Sequence, residues 1–257
     1  MKIGLFLIPF LFGLLSIAQN ATMYRTIYGP AEPYGGEDGV KDLIKQAMIY
    51  PEKALAENVS AEIFVSFIIN EGVVTLKKIS GSTDSSFIKE ADRLFNLIVW
   101  VPDDKRDNDE LGLEKLGIIF KPNKYKKLIK KRGYEQLPGI DNPDKINPEV
   151  FDINHVDEKP EYSNINNLNS FLKENFKYPA IALQQNLSGR VTVRFIIEPY
   201  GMASNILVVE PVGGGCNDET IRLVKLMRWK PAKKDGKKVR CESEYQLNFV
   251  NPGSTIR

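Results

Sequence analysis

The chain is poor in the residues that most often carry chemistry. Among 257 residues there are one histidine, His155, and two cysteines, Cys216 and Cys241. Neither a lone imidazole nor two isolated thiols can make a zinc site. No serine, cysteine or lysine nucleophile has an identifiable base in the pattern, and no pair of carboxylates is placed by it. The sequence therefore predicts no catalytic residue, no metal site and no cofactor, and His155 reads as a solvated side chain. Charge imbalance is also missing. With 35 basic and 33 acidic residues the formal net charge is +2, which argues against a nucleic-acid partner. Apolar residues at 42% and charged residues at 26% are what a soluble globular protein carries, and the length allows one large or two small domains.

The first residues read MKIGLFLIPFLFGLLSIAQN. Lys2 precedes an apolar run from Ile3 to Ile17, and Ser16-Ile17-Ala18 puts small residues where a signal peptidase inspects them. A membrane-spanning helix needs about 20 apolar residues. This run is shorter and carries Pro9. The expectation is a secretory signal over 1–18, cleaved after Ala18, with an uncleaved anchor as the alternative. A membrane is then a partner only if the leader is retained. No cysteine lies near the cleavage point, which excludes a lipoprotein anchor.

A phrase recurs. YPEKALAEN begins at Tyr50 and YPAIALQQN at Tyr178, with five of nine residues shared. At the same offset Ile63, Val65, Phe67 and Ile69 lie over Val191, Val193, Phe195 and Ile197. One inserted residue puts Gly72 on Gly201, Trp100 on Trp229, Pro102 on Pro231 and Phe120 on Phe249. One gap across two such stretches points to a tandem repeat. The expected parts are domain 1 over 30–122, a basic and Pro-containing linker over 123–155, and domain 2 over 156–252.

Each unit reads as helix, hairpin, helix, strand. Leu168, Phe171 and Leu172 mark a short amphipathic helix, which stops before Pro179. Val191, Val193, Phe195 and Ile197 alternate with Arg190, Thr192 and Arg194, a strand with one wet face. Gly201 turns the hairpin and Met202 to Val209 returns. Ile221, Val224 and Met227 recur at helical spacing, and residues 239–249 alternate again. The fold class is α+β: a three-stranded antiparallel sheet, order second-first-third, with helices on one face. The third strand, Val239, Arg240, Cys241, Glu242, Ser243, Glu244, Tyr245, Gln246, Leu247, Asn248 and Phe249, is then an edge with one row of backbone groups unpaired. This topology sets Cys216 and Cys241 at opposite ends of an 11-residue helix that rises about 16 Å. A bridge needs Cα atoms within about 7 Å, so no disulfide is expected.

The second unit resembles the C-terminal domain of TonB proteins. Tyr178-Pro179, Ala182, Gly189 with its strand, Gly201, Trp229-Lys-Pro231 and the closing strand to Phe249 carry the resemblance. The first unit keeps Tyr50, Pro51, Gly72, Trp100 and Pro102 but has Ala61 for the glycine and an acidic turn, so it is a divergent copy. The resemblance implies a periplasmic module that adds an extended segment of an outer-membrane receptor, or another envelope protein, beside its third strand. It also implies a further partner contact near Asn175 and a homodimer through edge strands as an alternative occupant. A working TonB has an uncleaved membrane helix and a Pro-rich spacer. This leader reads as cleavable and no long spacer follows, so energy transduction stands as the second reading. Tyr50, Pro51, Gly72, Trp100, Pro102, Tyr178, Pro179, Gly189, Gly201, Trp229 and Pro231 are expected to be architecture. Residues 121–132, KPNKYKKLIKKR, hold seven basic residues in twelve. They read as a solvated helix tail or linker, or else as a patch for anionic lipid or glycan.

Overall fold

The computed structural model describes residues 32–70, 72–102 and 113–251, and residues 24–28 by their backbone. The leader predicted over 1–18 lies outside the described residues. The first half comprises β1 Tyr24–Tyr28, α1 Gly36–Ala47, α2 Glu52–Ala56, β2 Ala61–Asn70, β3 Val73–Ser80, α3 Ser85–Asn96, β4 Glu114–Phe120 and α4 Pro122–Arg132. A 3-10 turn at Pro143–Lys145 and β5 Val150–Phe151 join it to the second half. There follow β6 Glu161–Tyr162, α5 Leu168–Asn175, α6 Ala180–Gln184, β7 Gly189–Ile197, β8 Ala203–Glu210 and α7 Cys216–Leu226. Short strands β9 Trp229–Lys230, β10 Lys233–Lys234 and β11 Lys237–Lys238 lead into β12 Arg240–Phe249.

Each half contains the antiparallel order second-first-third, as β3-β2-β4 and as β8-β7-β12. The expectation of three strands is corrected: each sheet has four, ordered β1-β4-β2-β3 and β5-β12-β7-β8. The added strand lies beside the third strand both times, antiparallel in the first half and parallel in the second. Two-residue β5 is too short to show an alternation that sequence periodicity could detect.

Alternation explains the two cores. Ile63, Val65, Phe67 and Ile69 of β2 meet Val40, Leu43 and Ile44 of α1 and Phe87, Ala91, Leu94 and Phe95 of α3. Val191, Val193, Phe195 and Ile197 of β7 meet Leu223 and Val224 of α7 and Tyr245, Leu247 and Phe249 of β12. Pro51 and Pro179 sit at the N-caps of α2 and α6. Gly201 holds φ 77, and a Cβ there would lie 2.4 Å from the Trp229 carbonyl oxygen. No other residue type combines that angle with that approach.

The stretch read as a linker, 123–155, is built into both halves. Tyr125 of α4 is buried in the first core. Leu137 is buried with Tyr200 and Met202 of the second half, and Ile49 of the first packs against them. The halves also share polar contacts. Gln46 Nε2 donates to the Ala203 carbonyl at 3.1 Å, on the terminal strand β8. Asn205 Oδ1 accepts from Val99 N at 2.8 Å and its Nδ2 donates to Leu97 O at 3.1 Å.

At the centre of this joint lies Arg240. Its side chain is 1% exposed and that of its partner Glu198 is 0%. The guanidinium donates to Glu198 at 2.8 and 3.0 Å, to Leu97 O at 2.7 Å and to Pro148 O at 2.7 Å. Arg240 shares its strand parity with Glu244, Gln246 and Asn248, which are exposed. The first half covers that face at this end of the sheet, so the arginine is enclosed and needs every acceptor it finds. Replacing Arg240 by Met leaves the Glu198 carboxylate buried without its partner, which typically costs about 3–5 kcal/mol. Urea unfolding of Arg240→Met should show a loss on that scale, and the double variant Arg240→Met with Glu198→Leu should recover most of it. Equal stability of wild type and Arg240→Met would refute the joint.

Candidate functional site

The outer margin of β12 is the candidate site, and its backbone defines it. On the inner side β12 pairs with β7 without a break, from Cys241↔Ile197 to Phe249↔Gly189. On the outer side β5 covers only Arg240 and Cys241, opposite Val150 and Phe151. Those two members of the predicted partner strand are therefore already paired there, and Val239 lies before the strand, buried with Ala232 and Cys241. Among the described residues no strand lies on the outer side of Glu242–Phe249. In an antiparallel ladder alternate residues turn both their N–H and C=O away from the partner. Beyond the Glu242 carbonyl, which accepts from Cys241 Sγ at 3.5 Å, this stretch presents a row of main-chain donors and acceptors that no other described strand takes up.

Side chains along it keep the expected parity. Tyr245, Leu247 and Phe249 are buried in the core, while Glu244, Gln246 and Asn248 are exposed. Burial pushes the Tyr245 phenol up to about 12. The outward row is polar and acidic, with Glu242 and Glu244: Gln246 Nε2 donates to Glu244 Oε1 at 2.9 Å, and Arg194 on β7 lies 4.0 Å from Glu242. It contains no lysine and no proline.

The same margin of the first half is filled. β1 runs antiparallel to β4 with Tyr24↔Ile118, Arg25↔Gly117 and Tyr28↔Lys115. At an offset of 129, Lys115–Ile118 lies over Glu244–Leu247. One half thus accepts an extended segment of the chain itself where the other half is open. The remaining edges are guarded differently. β8 is approached by Gln46 and Gly35 of the first half. β3 carries Lys77 and Lys78, and its pairing with β2 breaks register between Ile68 and Ile69. Lysines and bulges are the usual defence of an edge.

Paired bonds support both margins at the same offsets. Tyr50 Oη donates to Val59 O at 2.5 Å, and Tyr178 Oη to Leu187 O at 2.6 Å. Their rings meet Phe120 and Phe249 edge-on, at 5.8 and 5.7 Å, so each braces the end of a third strand. Glu90 accepts from Ile49 N at 2.7 Å and from Arg93, which donates to Ala47 O at 2.7 Å. Glu219 accepts from Lys177 N at 2.6 Å and from Arg222, which donates to Asn175 O at 2.5 Å. These two Glu-Arg clamps tie the third helix of each half to the end of its first. Sequence reading missed them, although Glu and Arg three residues apart recur at offset 129 in KEADRLFN and DETIRLVK. Pro33 bridges Trp100 and Tyr162 bridges Trp229, again 129 apart.

Asn175, proposed as an extra partner contact, is engaged within the chain. Its Nδ2 donates to Phe171 O at 2.9 Å and its carbonyl takes the Arg222 bond. Gly72 and Gly201 turn the hairpins, and Gly189 opens β7 against Val212. Trp100 and Trp229 are buried against Phe67 and Phe195 at 5.0 and 5.4 Å. Gly72 packs on Pro102, and Pro231 lies between β9 and β10. His155 is exposed beside Asp152. No cluster of metal-ligating residues occurs among the described residues, and no helix there is long and apolar enough to cross a membrane.

Residues 174–250 match the family model of the Gram-negative bacterial TonB protein C-terminal. No curated protein matches the chain. The match spans the end of α5 through β12, the segment that builds the open margin, and does not reach the first half. It supports the TonB C-terminal family for this segment, and with it an association with the bacterial envelope and a protein-interaction role of TonB type.

Cys216 and Cys241 are both free and buried. Burial pushes the Cys241 thiol up to about 11, helped by Asp152 and Glu242, and raises that of Cys216. A thiol held above its ordinary range is protonated at neutral pH and a poor nucleophile. Iodoacetamide at pH 7.5, as a mild probe, should label less than about one tenth of either site in the native protein and both in denaturant. A mass gain of two hydrogens on reduction, with a Cys216–Cys241 peptide, would contradict this.

Proposed function

We propose that the chain is an exported, periplasmic docking protein. Its second half captures extended segments of outer-membrane receptors or other envelope proteins by strand addition along Glu242–Phe249. In this reading the first half is a divergent copy of the same domain, whose margin is occupied by β1. The leader 1–18 is removed after Ala18, and no enzymatic step is involved. The observation that carries the reading is the unbroken β12–β7 ladder with an outer side free of any strand over Glu242–Phe249. Main-chain bonds would supply affinity, and alternate side chains of the guest would supply selectivity. The energy-transducing alternative needs the leader kept as an anchor.

The experiment uses protein purified from envelope extract and synthetic peptides of the periplasm-facing segments of outer-membrane receptors. The protein is expected to begin at Gln19, and at least one peptide should bind with a Kd between about 1 µM and 1 mM. Prolines placed singly from Glu242 to Asn248 should divide by parity. One set deletes inward donors and destabilises the sheet. The other deletes outward donors, leaves the fold intact and weakens binding by about tenfold. Folded variants of both sets binding as wild type would count against strand addition, and a chain beginning at Met1 would favour the anchored reading.

A further inference from the structure

One face of α4 is used by neither the fold nor the open margin. The helix reads PNKYKKLIKKR, with Lys121 at its N-cap and Gly133 ending it at φ 82. At about 100° per residue its side chains divide into two arcs. One arc holds Pro122, Tyr125, Leu128, Ile129 and Arg132. Pro122 and Tyr125 are buried, Leu128 and Ile129 pack against the first core, and Arg132 donates to the carbonyls of Lys45, Gln46 and Met48. The other arc holds Asn123, Lys124, Lys126, Lys127, Lys130 and Lys131 and no acidic residue. All of these but Lys124, which is half-buried, are exposed, as is Lys121. None of the six lysines forms an ion pair with a carboxylate among the described residues.

The stability of the helix does not account for this charge. Lys130, Lys131 and Arg132 complement the negative end of the helix dipole, but Lys121 and Lys124 sit at the positive end, where acids are favoured. Lys124 is also held below the ordinary lysine range by desolvation and by its neighbour Lys121. Cations set against both the dipole and one another serve something outside the helix.

We propose that this face docks the protein on an anionic phospholipid surface. The charges are ammonium groups on flexible stems, spread along one side of the helix, with Lys121, Lys126, Lys127, Lys130 and Lys131 exposed. There is no guanidinium fork to hold a single phosphate, since Arg132 is turned to the opposite arc. No aromatic ring is exposed there to stack a base, since Tyr125 is buried. Point charges without converging geometry suit a flat, laterally mobile field of negative headgroups. The apolar arc is already committed to the core, so the helix cannot insert. Binding is electrostatic, reversible and sensitive to salt. The inference does not depend on the function proposed for β12.

The test is sedimentation of the full mature chain with vesicles of phosphatidylcholine, with or without about 30% phosphatidylglycerol. At low salt, binding to the anionic vesicles should exceed that to neutral ones by at least about tenfold and should vanish near 0.5 M salt, roughly where the Debye length falls to a few ångström. The triple variants Lys126→Glu/Lys127→Glu/Lys130→Glu and Lys126→Gln/Lys127→Gln/Lys130→Gln change only exposed side chains, so their melting temperatures should match wild type. The first should lose vesicle binding and the second most of it. Equal binding to both vesicle types, no binding to either, or unchanged binding by folded variants would overturn the proposal. So would binding to purified cell-wall sacculi in place of vesicles.

Discussion

Everything in this molecule turns on what happens to the backbone groups at the margins of its sheets. A strand inside a sheet satisfies its N–H and C=O on both sides; a strand at the rim satisfies half of them. The three-strand units β3-β2-β4 and β8-β7-β12 have four margins between them, and the chain treats each differently. β1 lies along β4. β8 is met by Gln46 and by the turn at Gly35. β3 is left exposed but bulged and set with lysines. β12 is straight, polar and covered for only its first two residues. The functional reading rests on that contrast. In the proposed reading, the side of Glu242–Phe249 that no described strand covers is the one a guest would pair with.

The joint between the halves explains how such a margin can be kept in shape. Arg240 opens β12 and bonds Glu198, which follows directly on β7, and it reaches the first half through Leu97 O. Arg240 begins the very strand whose remainder is open. A desolvated arginine with four acceptors tolerates few orientations, so the start of β12 is anchored to both halves. Its far end is braced by Tyr178 and Phe176 packed against Phe249. The strand is held at both ends, so in the proposed reading a guest would meet a margin that needs little ordering, which would lower the entropic cost of capture.

Much of the architecture was legible because periodicity encodes it. The alternating strands marked the order second-first-third that the sheets contain as β3-β2-β4 and β8-β7-β12. Other features left no periodic trace. β5 is two residues long. β1 pairs through its backbone, which any sequence can offer. Arg240 stands at a solvent-facing parity and is buried only because the first half arrives there, a tertiary event that no local pattern contains. The Glu-Arg clamps were within reach, since both residues recur at the repeat offset, but surface-type residues on a helix draw no attention until a neighbouring backbone is seen to need them. In the candidate site, the parity of Tyr245, Leu247 and Phe249 followed from the sequence; the loss of Arg240 and Cys241 to β5 did not.

Amide hydrogen exchange along β12 tests the central point most directly. In the free protein, alternate amides between Glu242 and Phe249 should exchange as fast as exposed loop amides while their neighbours are protected by β7. Those fast amides should slow on adding a bound receptor peptide, with the amides of β4 unchanged. Uniform protection of Glu242–Phe249 in the free monomer would mean that the margin is already covered, and the account would fail.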